Sequence, residues 1–420
     1  MSATESKPMR DRRGRVYTPA IGKGLRPLLW VLLIGFAVLA ANGVYLASVK
    51  LLGWVGWLGG DAIQTNFSLW MLLAHLALGI VLIVPFVVFG LIHLITSWNR
   101  PNKAAVRYGI MLLICSSVML ATGFFLWSGF VEIRDSRIRA VFYWLHVLTP
   151  VGAMLLYLWH RLAGPKVNWH WARVWVASVA GFVAVMAVFH THDPRQIRRS
   201  DDPRYTFPSE AKLADGKLIS EDVLMMDEYC LKCHQDAYEG WFHSAHHLSS
   251  FNNPAYLFSV RETREKSIER DGNTRAARWC AGCHDPVPFF SGAFDDPKYD
   301  DVNTRSSQAG ITCTSCHAIT KINSTRGNAD YTIEEPRHYP FATSTNPVLQ
   351  WVNQTLVKAK PEMHRRTFLK PEVHRNSEFC STCHKVSLPY ALNHYKDFLR
   401  GQNHWDNFLL SGVSGGGARS

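Results

Sequence analysis

The sequence predicts a mainly α-helical protein, with a five-helix transmembrane bundle followed by a loop-rich, mostly helical domain. Three observations predict this fold class. Five long apolar runs fall before residue 191, a C-x-x-C-H pentapeptide recurs four times after residue 228, and the stretches between these repeats are rich in Pro, Asn, Thr and Asp. The mean hydropathy of −0.05 averages two unlike halves and describes neither of them.

Residues 1–27 form a basic tail, which we expect to be disordered and cytoplasmic. The apolar run at residues 28–49 has two interpretations. Val38 and Ala40 offer the small-residue pattern of a signal-peptide cleavage site. The run nevertheless continues past that pattern to about the 20 residues that a membrane span needs. This length favours a retained first helix.

Four further apolar runs predict membrane spans at residues 69–98, 107–130, 140–162 and 172–190. Basic residues of the connecting segments share one end of the bundle with the tail; they are Arg100, Lys103, Arg107, Arg161, Lys166 and Arg173. The positive-inside rule therefore places the N-terminus in the cytoplasm. Five spans in a bacterial inner membrane then deliver residue 191 onward to the periplasm.

Four histidines lie inside these predicted spans, where ionisable groups are costly and usually functional. His75 and His93 are 18 residues apart, five whole turns, so they share one helix face about 27 Å apart. His146 and His160 are 14 residues apart, about 21 Å along the axis. The two helices run in the same direction, which predicts that His75 with His146 and His93 with His160 hold two b-type haems. The alternative is that they are core histidines hydrogen-bonded between helices.

These paired histidines resemble those of the membrane dihaem cytochrome b subunits of formate dehydrogenases, hydrogenases and cytochrome bc complexes. The resemblance covers residues 28–190 and rests on the four histidines alone. Residues 191–228, with Pro203, Pro208 and mixed charge, are predicted to be a surface linker between the two domains. Residues 229–420 form the second domain.

Each C-x-x-C-H copy has the pattern of covalent haem attachment, in which two thiols join one haem and the following His ligates its iron. Structural zinc is the alternative reading of paired cysteines, but zinc does not require His directly after the second Cys. The pattern therefore predicts four c-type haems. The thiols are Cys230, Cys233, Cys280, Cys283, Cys313, Cys316, Cys380 and Cys383, and the iron ligands are His234, His284, His317 and His384.

The remaining cysteine, Cys115, lies in an apolar run and is expected to pack as a small hydrophobe. Each six-coordinate c haem needs one more ligand, and the chain from residue 190 onward offers ten further histidines: His190, His192, His243, His246, His247, His338, His364, His374, His394 and His404. The interpretation favours His246, His338, His374 and His404. A methionine such as Met363 remains an alternative.

The first motif is followed by W-x-x-S-x-H, formed by Trp241, Ser244 and His246. This arrangement resembles the multihaem cytochromes related to hydroxylamine oxidoreductase and to its tetrahaem electron-accepting partner. The resemblance implies that His246 is a distal haem ligand, with His243 and His247 as possible substitutes. It extends over residues 229–412 through CAGCHDPVPFF, GITCTSCHAI and LRGQNHWDNFLLSG. It also implies a C-terminally truncated member with further motifs beyond residue 420.

Helices are predicted at residues 256–271 and 387–410 from their apolar and aromatic spacing. Residues 285–312 and 318–372 are predicted to be loops.

Together these patterns predict respiratory electron transfer between the membrane quinone pool and a periplasmic redox partner, first through b-type and then through c-type haems. The direction of electron flow stays open. Two alternatives are a catalytic multihaem oxidoreductase of a nitrogen compound and a haem-based redox sensor. The net charge of +12 partly reflects arginines at the membrane surface, so the lipid bilayer is an expected partner and nucleic acid is not.

Overall fold

The computed structural model describes residues 9–10, 16–17, 21–57, 65–127, 133, 135–164, 167–192, 205–388 and 399–414. The chain divides into two compact units. The first, here called the membrane unit, comprises Met1–Asp193 and Tyr339–Pro361, and the second, here called the CxxCH unit, comprises Pro194–His338 and Glu362–Ser420. The basic tail lies mostly outside the described residues. Its described part pairs Met9–Arg10 (β1) with Val16–Tyr17 (β2) in antiparallel fashion.

Five long apolar helices build the membrane unit: Leu25–Trp54 (α1), Asn66–Ser97 (α2), Lys103–Trp127 (α3), Ser136–Ala163 (α4) and Trp169–Thr191 (α5). Each is long and apolar enough to cross a membrane, and most of its apolar surface is exposed, because lipid rather than protein would cover it. Side-chain caps begin four of them. Thr65, Asn102, Asp135 and Asn168 each accept a hydrogen bond from a backbone N–H of the first turn.

Polar contacts connect these helices. Asn42 Nδ2 on α1 donates to the Met71 carbonyl on α2 at 3.0 Å, and Trp175 Nε1 on α5 donates to the Leu33 carbonyl on α1 at 3.3 Å. On α3 the Cys115 thiol packs against α4, with Sγ 3.4 Å from the Thr149 carbonyl. Inside a bundle that excludes water, such bonds fix how neighbouring helices pack.

The helices of the remaining chain are short. They are Glu221–Leu224 (α6), Asp227–Leu231 (α7), Gln235–Phe242 (α8), Pro254–Asp271 (α9), Arg278–His284 (α10), Pro286–Ser291 (α11), Cys313–His317 (α12), Pro347–Ala359 (α13), Pro361–Phe368 (α14), Pro371–His374 (α15), Glu378–His384 (α16) and His404–Leu410 (α17). The fold class is confirmed: five long apolar helices precede a helical, loop-rich region.

Two small sheets complete the CxxCH unit. Lys212–Leu213 (β3), Ile319–Ile322 (β4) and Tyr331–Ile333 (β5) form the first, in which β5 is parallel to β3 and antiparallel to β4. Lys385–Leu388 (β6) pairs with Leu399–Asn403 (β7) in the second. The residues around β3 and α6 were predicted as a surface linker, but Leu213, Ile219 and Leu224 are buried in the unit's core. Residues 205–228 are therefore a packed part of this unit.

Of the two predicted helices, residues 256–271 are helical, in α9. Asn253 caps its N-terminus and Gly272 ends it with φ of 69°. Residues 387–410 are not one helix: β6 ends at Leu388, β7 occupies Leu399–Asn403, and of the described residues of this segment only those of α17 are helical. Residues 389–398 lie outside the described residues. The predicted loops also contain helices, most notably α13, which is started by Asn346 and Pro347.

Candidate haem sites

Helical geometry brings the three functional side chains of each C-x-x-C-H motif to one side. In the second, third and fourth motifs the helix ends at the histidine itself, at His284, His317 and His384. The first motif makes the same turn, since the His234 N–H donates to the Cys230 carbonyl at 2.9 Å. Residues three and four positions apart share a helix face. Two thiols and an imidazole therefore present a common surface to one planar group.

The eight motif thiols are free, as is Cys115. Thiols from different motifs are neighbours: Cys230 lies near Cys313, and Cys283 lies near Cys383. Burial raises the pKa of the Cys280 and Cys316 thiols to about 12, so these groups are neutral rather than thiolates. A zinc ribbon needs four converging ligands, and no group of three or more His, Cys, Asp or Glu that could hold a metal ion occurs in the described ranges.

Two of the motif histidines face another histidine at about the distance that one iron would impose. A metal–imidazole bond is about 2 Å long and the ring centre lies about 1.1 Å behind the nitrogen, so opposite ligands have centroids about 6 Å apart. His234 faces His364 at 6.1 Å with rings 6° from parallel. His384 faces His246 at 6.1 Å and His404 at 6.0 Å. His317 lies closer to His374, at 4.8 Å.

The second motif differs from the others. The ring stacked on His284 is that of Tyr256, with centroids 4.3 Å apart and planes 17° from parallel. The His284 Nδ1 hydrogen-bonds with the Ser249 carbonyl at 2.9 Å. Tyr256 and Ser250 both donate to the Asp285 carboxylate, and burial raises the pKa of Asp285 to about 7. Tyr256 thus supports the flank of the His284 imidazole through a buried polar network.

The structure brings together three of the four favoured distal candidates with a motif histidine: His246, His374 and His404. The ring neighbours of the fourth, His338, are Tyr229 at 5.9 Å and Phe368 at 5.4 Å. His364 instead stands opposite the first motif. It belonged to the pool of ten but was not favoured, because nothing in the local sequence marks it. Of the same pool, His394 lies outside the described residues.

The four membrane histidines form the two expected pairs. The centroids of His75 and His146 are 6.2 Å apart with planes at 85°, and those of His93 and His160 are 6.2 Å apart with planes at 86°. Both distances match the spacing of about 6 Å for two imidazoles on one iron. The structure brings the residues together, and their role as iron ligands stays a prediction.

Hydrogen bonds leave the Nε2 atoms of several histidines available to a metal. Nδ1 of His146 bonds the Met119 carbonyl at 3.1 Å, and Nδ1 of His160 bonds the Ala105 carbonyl at 2.9 Å. Metal-binding imidazoles commonly use this carbonyl contact to fix ring and tautomer. In the CxxCH unit, Nε2 of His374 is buried without a hydrogen-bond partner. Burial lowers the pKa of His317 to about 4, which favours the neutral, ligating form.

Two glycines that the sequence analysis did not single out make room for the α4 imidazoles. A Cβ on Gly123 would lie 2.8 Å from Cε1 of His146, and one on Gly109 would lie 3.1 Å from Cε1 of His160. Both are on α3, 14 residues apart, the spacing of His146 and His160 on α4. Because adjacent antiparallel helices carry the two glycines and the two histidines at the same spacing, the sequence alone could have identified Gly109 and Gly123.

These observations fit haem. The donor sets are paired imidazoles, the thiols sit beside the motif histidines, and four of the pair distances match two imidazoles on one iron. His75 with His146 and His93 with His160 would hold two b-type haems. The four C-x-x-C-H motifs would hold four c-type haems, with His364 facing His234 and with His246 or His404 facing His384.

Residues 229–318 match the protein-family model described as "Cytochrome c554 and c-prime". The match spans the first three C-x-x-C-H motifs. It supports a multihaem c-type cytochrome domain with covalently bound haem, which serves electron transfer. No curated protein and no solved structure matches the chain. Five apolar helices precede this domain, so the cytochrome is joined to a membrane-inserted bundle, and a c-type cytochrome implies placement outside the cytoplasm.

Proposed function

We propose that this protein is a membrane quinol dehydrogenase of the respiratory chain, which passes electrons from the quinone pool to a periplasmic redox partner. The observation that carries the proposal is a shared geometry in both halves. Two histidine pairs in the membrane helices and the His234–His364 and His246–His384 pairs in the CxxCH unit have ring centroids 6.1–6.2 Å apart. A chain with iron sites in both places can connect a lipid-soluble donor with a water-soluble acceptor.

The membrane unit supports the quinol end of the proposal. His75 and His93 lie on one face of α2 about 27 Å apart along the helix axis, so the two paired sites fall at different depths. A quinol that is oxidised there loses two electrons and two protons, and the protons leave to water on one side. This part of the proposal places b-type haem in the bundle of a bacterial inner membrane.

The haems, when bound, supply one-electron storage. The chain's own residues do the rest. The imidazoles hold the irons, the carbonyls of Met119 and Ala105 orient two of those rings, and the apolar helices exclude water. Thiols of the first and third motifs are neighbours, as are thiols of the second and fourth, so the haems of these motifs would lie close together. Short separations are what rapid electron transfer requires.

The first test is a reduced-minus-oxidised spectrum with a pyridine haemochrome assay on membranes that contain the intact chain. Because two histidine pairs and four motifs are present, we expect b and c haem in a ratio of about two to four. His75→Ala removes one side of a membrane pair and is expected to lower the b content by about half with the c content unchanged. His170→Ala is the matched control, since its ring contact is Trp171 rather than another histidine.

A spectrum with c haem alone would contradict the bundle's redox role and leave the five helices as an anchor. If b haem is present but menadiol does not reduce the c haems of purified protein, the quinol donor is wrong.

A second candidate function is catalysis on a small nitrogen compound, and His284 is the observation that favours it. Its stacking partner is a tyrosine, whereas the other three motif histidines each have a histidine ring neighbour. Carbon monoxide added to the reduced protein tests this candidate. Spectral change in about a quarter of the c haem would favour an open site at the second motif, and no change would favour electron transfer alone.

A further inference from the structure

A helix from the second half of the chain lies in the membrane unit. α13 follows the third C-x-x-C-H motif, yet its contacts are with the ends of the membrane spans. Trp351 packs edge-to-face on Trp127, the last residue of α3, with centroids 5.8 Å apart. Just before α13, Phe341 packs in the same way on Trp70, in the first turns of α2, at 5.6 Å.

A charged contact holds the other end of α13. Arg139, in the first turn of α4, donates to the Lys358 carbonyl at 3.1 Å and to the Ala359 carbonyl. The last carbonyls of a helix lack partners within the helix, and a guanidinium satisfies them and favours their partial negative charge. The start of α2, the end of α3 and the start of α4 lie at the same end of an alternating bundle. α13 therefore rests on one end of the bundle.

That end carries a concentration of exposed tryptophan. Trp54, the last residue of α1, is 70% exposed, Trp57 just after the helix is 82% exposed, and Trp70 is 48% exposed. Trp54 also packs on Trp144 of α4 at 5.7 Å. Tryptophan is enriched where membrane helices cross the lipid headgroups. α13 contacts the residues of this belt, so it lies at the level of the membrane surface.

α13 exposes large apolar side chains although two of its three buried residues are polar. Its buried side holds Leu356 with Asn353 and Thr355, and Asn353 Nδ2 donates to the Tyr339 and Pro340 carbonyls at 3.1 and 3.0 Å. Its outer side exposes Val348 by 66% and Trp351 by 46%. A water-facing helix has polar residues outside and apolar residues inside. An exposed apolar face continuous with a lipid-facing bundle is suited to lipid.

We propose that α13 is an interfacial membrane helix, whose Val348 and Trp351 face is immersed in the leaflet that meets the Trp54 end of the bundle. Lys358 is also exposed on this helix, and its amine can reach the headgroups while the stem lies along apolar surface. The occupant of the exposed face is phospholipid, and the chain is therefore attached to the membrane surface at a second place after its five spans. The proposal does not depend on the haem content of the bundle.

The test places a bimane fluorophore on single cysteines in the full, haem-loaded protein. Cys115→Ser removes the cysteine outside the haem motifs, and Val348→Cys and Trp351→Cys supply two independent positions. Phe258→Cys on α9 is the matched control, because Phe258 is equally apolar and 72% exposed but belongs to the CxxCH unit. The protein is reconstituted in phosphatidylcholine vesicles with or without brominated acyl chains, and iodide serves as the aqueous quencher.

We expect brominated lipid to quench the labels at positions 348 and 351 at least threefold more than the label at 258, and iodide to quench them less. Equal iodide quenching at 348, 351 and 258 would overturn the proposal and place this face in water. Protection from both quenchers, lost when labelled protein is diluted to one copy per vesicle, would also overturn it and identify a second copy as the occupant. The c-haem spectrum of each variant checks that it is folded.

Discussion

Single residues decide whether the membrane imidazoles can face each other. On α3, Gly123 and Gly109 lie against the rings of His146 and His160, where any side chain would be tighter than ordinary van der Waals contact. The opposite imidazoles, His75 and His93, come from α2. The separation of about 6 Å within each pair therefore depends on the absence of a side chain at Gly109 and Gly123 of α3. Packed interiors tolerate little extra volume.

Gly123→Ala is expected to displace the His146 ring, because the new Cβ would lie 2.8 Å from its Cε1. Overpacking of this kind costs about 1–3 kcal/mol, and the b-haem content per c haem should fall by up to one half. Gly109→Ala should have a smaller effect, since its closest distance is 3.1 Å. Haemochrome assays on purified protein provide the measurement.

Gly181→Ala on α5 is the matched control, because nothing lies within 4 Å of its added Cβ. Similar losses of b haem in the Gly123 and Gly181 variants would show that general helix packing, and not the His146 ring, is responsible.

At the scale of elements, α13 illustrates why a short helix adopts its place. Asn346 accepts from the N–H groups of Val348 and Leu349 at the start, and Pro347 fits the first helical position, where no N–H is needed. Isolated helices of this length are marginal in water. The packing of α13 on Trp127 and the hydrogen bonds from Arg139 to the last carbonyls of α13 supply the stability that the local sequence lacks.

Arg139→Ala should loosen α13, because the Lys358 and Ala359 carbonyls lose their charged donor. Hydrogen bonds to charged groups contribute about 1.5–3 kcal/mol, so we expect amide hydrogen exchange across residues 347–359 to accelerate by at least tenfold. Arg137→Ala, two residues earlier on the same helix and exposed, should leave exchange within a factor of two. Unchanged exchange in the Arg139 variant would mean that aromatic packing alone holds the helix.

The whole molecule shows which features local sequence can predict. The five spans follow from hydropathy, and the His75–His146 and His93–His160 contacts follow from helix periodicity and from the shared direction of the second and fourth spans. The place of His364 opposite His234 could not be predicted in this way, because the two are separated by 130 residues and the chain between them is held by tertiary contacts. The same reason explains the packed residues 205–228 and the β6–β7 pair, where core burial and strand pairing override local helix signals.

The charge distribution predicts the orientation of the chain in the membrane. Arg100, Lys103 and Arg107 share one end of the bundle with Arg161, and Asn102 Nδ2 donates to the Ala163 carbonyl at 2.6 Å across that end. The positive-inside rule places it in the cytoplasm. In a Cys115→Ser background, an impermeant maleimide should therefore label Phe258→Cys in intact spheroplasts and label Pro101→Cys only after permeabilisation. The reverse pattern would invert the topology.

The contact between Arg139 and the end of α13 also sets an order for biosynthesis. The two carbonyls that Arg139 binds arrive 219 and 220 residues later in the chain. At about 5–20 residues per second, the ribosome needs roughly 10–45 s to make that stretch. During this interval the nascent bundle has its five spans but not its last helix. Three of the four cysteine motifs leave the ribosome before α13 does, so most of the haem-attachment sequence is made before the membrane unit can be completed.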